Sequence, residues 1–104
     1  MKLVGRDVLQ TFIRHHAEAQ SAILRWENVI RTAQWRNFAE LRTTFSSTDQ
    51  VKLAHVLVVT VFNVGGNKFR LISEVAYVQG VVRVLLILTH EEYSRGNWKA
   101  KLRS

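Results

Sequence analysis

The chain has 104 residues, 47% of them apolar, with no cysteine and no proline. That is enough for one folded domain over 1–104 and excludes a disordered tail, a disulfide scaffold and a cysteine-ligated zinc site. Fifteen Lys and Arg against eight Asp and Glu leave a formal charge of +7, which on so small a body points to a polyanionic partner: RNA, DNA, a ribosome or an acidic protein.

Met1 to Val4 reads as a short strand that Gly5 breaks. A helical pattern starts at Arg6-Asp7, with Val8, Leu9, Phe12 and Ile13 on one face. A second runs from about Glu18 to Ala33. Ala22, Ile23, Trp26, Val29, Ile30 and Ala33 recur at helical spacing there, and Glu18, Arg25, Glu27 and Arg31 point elsewhere. A short helix over Asn37–Arg42 buries Phe38 and Leu41, and Ser46 to Asp49 is a loop.

From about Leu53 the pattern is that of strands. His55 to Phe62 is β-branched, Gly65-Gly66 suits a two-residue hairpin turn, and Gln79-Gly80 marks a second turn. Val81 to Thr89 is apolar on both sides, as a central or covered strand requires. Helices first and a three-strand meander second predict an α+β fold, with the helices on one face of a mainly antiparallel sheet. The tail from His90 is polar and basic.

Counting outward from Gly65-Gly66 pairs Asn63 with Lys68 and Phe62 with Phe69. Phe62, Phe69, Leu71, Val75 and Tyr77 then share the core face, and Asn63, Lys68, Arg70, Ile72 and Glu74 share an open one. A two-residue second turn pairs Ala76 with Arg83, which joins the open face; Glu74 is then a ready partner for Arg83. The same register puts His90 opposite Phe69, on the core side, unless a bulge, a longer turn or the strand's end redirects it.

Internal cleavage of RNA needs a proton taken from the 2′-hydroxyl, charge stabilised on phosphorus and a proton for the 5′-oxygen, and no metal. Lys68 and Arg70, with His90, Tyr93 and Lys99 after the last strand, are the residues of the right type. Each has a plainer reading: His90 as a strand terminator, Tyr93 as a packed ring, and Lys99, Lys101 and Arg103 as a solvated tail. Trp98 reads as a packing residue. His15-His16 lacks the i, i+4 spacing of a metal pair, and the double glycine lacks the setting of a phosphate loop, so neither metal nor cofactor is expected. No apolar run reaches the roughly 18 residues of a membrane span, and no signal-like segment opens the chain, so the expectation is a cytoplasmic protein.

FNVGGNKFRLI over 62–72, followed by LTHEEYSRGNWK over 88–99, resembles the HigB family of the RelE/ParE toxin superfamily. The segment WRNFAELRTTFSSTDQV over 35–51 also fits its pattern. Two stretches, VVRVLLILT and KLAHVLVVTVF, are more apolar than the family's pattern. The resemblance implies a RelE-like α+β toxin, an mRNA interferase commonly acting on the translating ribosome, and a HigA-type helix-turn-helix antitoxin. It implies Lys68 and Arg70 as phosphate holders and His90 and Tyr93 as proton-transfer residues. Asn63, Asn67, Arg83 and Lys99 would support RNA binding. A non-catalytic relative that grips a protein target, or only its antitoxin, stands as the alternative, and a general RNA-binding domain as a third.

Overall fold

The computed structural model describes residues 1–53 and 57–103. The elements in chain order are β1 (Lys2–Val4), α1 (Arg6–His15), a single 3-10 turn (Ala17–Ala19), α2 (Gln20–Thr32), α3 (Phe38–Thr44), β2 (Asp49–Leu53), β3 (Leu57–Val64), β4 (Phe69–Ala76), β5 (Val81–Thr89), α4 (His90–Arg95) and α5 (Trp98–Arg103). The expected start of the third-quarter strand at His55-Val56 lies outside the described residues. The sheet has five strands in the order β1-β5-β4-β3-β2. Only the β1–β5 pair is parallel. The fold is α+β, as expected, and β5 is a central strand.

The helix-side core is the one the apolar spacing predicts. Leu9, Ile23, Trp26, Ile30 and Leu41 meet Phe62, Val64, Phe69, Leu71, Val82 and Ile87, and Val75 and Tyr77 pack against them. Phe12 and Phe69 meet edge to face at 5.5 Å, as do Trp26 and Phe62 at 5.3 Å. Asn37 caps α3, its side chain accepting the Glu40 N–H at 2.9 Å.

Four expectations are corrected. Glu27, a charged residue off the apolar stripe of α2, is not exposed: it is buried, accepting from Arg6 Nε at 3.1 Å and pairing with Arg31. Burial is tolerable because a cation reaches it from each side. The segment from Asp49 is not loop but the edge strand β2, completing the sheet against β3.

Third, both turns hold four residues rather than two, since Val64 pairs with Phe69 and Ala76 with Val81. In the first, Asn67 leaves the ladder because its carbonyl and side chain both accept from Arg70. In the second, the Tyr77 ring turns onto the helix-side core, and the Gly80 N–H closes the turn on the Ala76 carbonyl at 2.9 Å.

Fourth, the face carrying Arg70 is not open. Leu53, Val59, Val61 and Ile72 form a second core there with Trp98, flanked by Leu85, Leu86, Leu88, Tyr93 and Leu102. The tail that reads as solvated is two short helices closing the sheet from behind. The extra apolar residues of β3 and β5 are thereby explained: these strands are covered on both faces.

Candidate active site

Lengthening a turn by two residues leaves side-chain parity unchanged, so the faces deduced from sequence survive the register error. One further event decides where His90 goes. Ile72 pairs with Leu86 but Ser73 with Val84, leaving Leu85 as an extra residue in β5. This bulge flips the parity of everything after it. Thr89 rather than His90 then opposes Phe69, and His90 emerges on the Arg70 face.

The strand also ends there. Thr89 and Glu92 form a capping box: the Thr89 side chain accepts the Glu92 N–H at 3.2 Å, and Glu92 Oε1 accepts the Thr89 N–H at 2.9 Å. His90 is thus the first residue of α4, pinned by its own N–H to the Lys68 carbonyl at 2.8 Å. Tyr93 follows one turn later.

Arg70 is the hub. It is 8% exposed, and among the described residues no carboxylate pairs with it. Its Nη1 donates to the carbonyls of Asn67 at 3.1 Å and Phe69 at 3.2 Å. Its Nη2 donates to Asn67 Oδ1 at 2.9 Å and lies 3.0 Å from His90 Nδ1. The guanidinium carbon stands 5.7 Å from the centre of the Tyr93 ring. A cation buried with neutral acceptors and a π face, but no counter-ion, keeps its field for an incoming anion.

Tyr93 is half-buried and stacked on Trp98, centroids 5.3 Å apart and planes 17° from parallel. Burial pushes its hydroxyl above the usual phenol range, and the Asp49 carboxylate adds to this; Arg70 acts in the opposite sense. The phenol therefore stays protonated through neutral pH, a donor and not a base.

Lys68 is exposed, and its side chain has no partner among the described residues. Asn63 sits opposite Arg70 on β3. Lys99 joins through the aromatic stack, its Nζ lying 5.9 Å from the centre of the Trp98 ring. Arg83 is not brought in. It pairs with Glu74 on the same face, but Glu74 is four residues along β4 from Arg70, about 13 Å at strand rise.

The charge of Asp49 reaches Tyr93, and Thr89 and Glu92 turn the chain into α4. The T-x-x-E spacing of a capping box stands in the sequence at Thr89–Glu92; no comparable signal marks Asp49.

The His16 ring stacks on Phe12 at 4.1 Å, and His15 Nδ1 donates to the Thr11 carbonyl at 3.2 Å. Among the described residues no three histidine or acidic side chains cluster as ligands, and no helix is long and apolar enough to cross a membrane.

Residues 19–96 match the family model of the HigB toxins, described as the RelE-like toxic component of a toxin-antitoxin system. The match spans the hub, the capping box and both turns. It stops short of Lys99 and Trp98. No curated protein matches the chain.

Proposed function

We propose, on the premise that the chain belongs to the HigB family of RelE-like toxins, that it is an mRNA endoribonuclease acting on ribosome-bound message without a metal ion. A HigA-type helix-turn-helix antitoxin neutralises it. The observation that carries this reading is the convergence of a buried cation with no counter-ion among the described residues, an imidazole and a protonated phenol at one end of the sheet.

The step has simple requirements. The 2′-oxygen attacks phosphorus, the bond to the 5′-oxygen breaks, and a 2′,3′-cyclic phosphate and a 5′-hydroxyl result. Lys68 and Arg70 supply positive field for the charge that grows on the non-bridging oxygens. Tyr93 gives its proton to the departing 5′-oxygen, and the 2′-hydroxyl proton passes to solvent. Lys99 and the remaining basic surface draw the strand in, with an affinity that falls as salt rises.

The test is message integrity in a translating extract. Wild-type protein should leave fragments with 5′-hydroxyl ends. Tyr93→Phe, which loses the proton donor, and His90→Ala, which loses a ring beside the phosphate, should each slow their appearance by roughly 10²-fold. Intact message at high toxin concentration would refute the reading and favour a toxin that only grips a protein target.

A further inference from the structure

A guanidinium has donors and no acceptor. The 3.0 Å contact between Arg70 Nη2 and His90 Nδ1 therefore has one chemical meaning: Nδ1 accepts, and in the neutral ring the proton sits on Nε2. A ring protonated at both nitrogens has no lone pair to offer, and the bond would be lost.

Arg70 is itself held. Both of its Nη atoms reach Asn67, one at the carbonyl and the other at the side-chain oxygen, and Nη1 also reaches the Phe69 carbonyl. Its terminal N–H groups are thus committed to protein acceptors before any phosphate arrives. Lys68, whose carbonyl anchors the His90 backbone, is exposed, and its side chain has no partner among the described residues.

We infer that Asn67 and Arg70 are positioning residues, a relay that locks His90 in its Nε2–H tautomer. His90 then offers the scissile phosphate an N–H donor rather than a base, and Lys68 supplies the direct cationic contact. The use of the donor rests on the endoribonuclease reading; the relay does not.

The experiment is a long-range proton–nitrogen correlation spectrum of the histidine rings at neutral pH, with His90 assigned by its loss in His90→Gln. The expected wild-type spectrum shows one His90 tautomer, with a bare Nδ1 and a protonated Nε2. Arg70→Met should turn this into a mixture and slow cleavage by roughly 10²-fold. Asn67→Ala, a change in an exposed turn, should move both readouts the same way by a smaller amount, and it tests the relay even where Arg70→Met fails to fold. A His90 that is mixed or protonated at Nδ1 in the wild type overturns the inference, as does an Asn67→Ala spectrum identical to wild type. A locked tautomer in a protein that leaves message intact upholds the relay and sinks only the nuclease; cleavage by a protein with a mixed His90 does the reverse.

Discussion

Trp98 offers the sharpest test of the second core. The indole is 3% exposed, stacked on Tyr93, and its Nε1 donates to the Tyr93 carbonyl at 3.2 Å. It is the large residue that α5 lays against Leu53, Val59, Val61 and Ile72. Removing such a side chain costs about 3–5 kcal/mol, a large share of the 5–15 kcal/mol typical of a domain's total. At about 5 °C per kcal/mol for a chain of this length, Trp98→Ala should lower the melting temperature by roughly 15–25 °C. Trp98→Phe keeps a stacking ring but loses one hydrogen bond, about 1 kcal/mol, plus some buried area, for a drop of roughly 5–10 °C. Differential scanning calorimetry gives the shifts, and amide exchange reports whether α4 and α5 open together. A shift below roughly 3 °C in Trp98→Ala is what a solvated tail would give, and it would refute the two-sided core.

The remaining predictions concern the cap, the turn and the phenols. Thr89→Ala removes the capping side chain of α4 and should cost about 1 kcal/mol by urea denaturation, with a fall in cleavage because α4 begins at His90. Gly65 has φ 67°, and a methyl there would stand 3.3 Å from the Phe69 ring and 3.6 Å from Ala22, so Gly65→Ala should cost about 1–2 kcal/mol. Gly66 has the same φ with nothing within 4 Å, and Gly66→Asn should cost less than about 1 kcal/mol in the same assay. Burial raises both Tyr93 and Tyr77, the chain's two tyrosines, above an unfolded value of about 10. Their contribution to stability is therefore present below pH 10 and lost as pH rises through the folded values. Absorbance titration should show little tyrosinate until above pH 10, and Asp49→Asn should bring the Tyr93 transition down while leaving Tyr77 in place.

Much of the fold is legible because apolar period carries it. Val8, Leu9, Phe12 and Ile13 on α1, and Ile23, Trp26 and Ile30 on α2, pack where their spacing puts them. The side-chain faces of β4 were also readable, because a turn of two residues and a turn of four give the same parity. What was not readable is whatever depends on a single extra residue or on a long-range partner. The bulge at Leu85 leaves no mark in a run of Val and Leu, since either neighbour satisfies a covered strand. Glu27 looks like any charged helix residue until Arg6 arrives from another element.

The site depends on that same bulge. Without it His90 would be directed into the helix-side core and Arg70 would lose its fourth acceptor. With it, the T-x-x-E cap begins α4 on the opposite face; α4 brings Tyr93 over the guanidinium, and α5 after it lays Trp98 against the sheet. One unpaired residue in β5 thus couples the second core to the candidate chemistry. Deleting Leu85 should cost far more function than its own buried area would suggest. The strand keeps its apolar run and its pairing with β4, so the deletion variant should still bury the helix-side core. The face of His90 should reverse, and the single His90 tautomer in the nitrogen spectrum should give way to a mixture. A deletion variant that kept the locked His90 tautomer would show that the capping box alone turns the chain, with no need of the bulge.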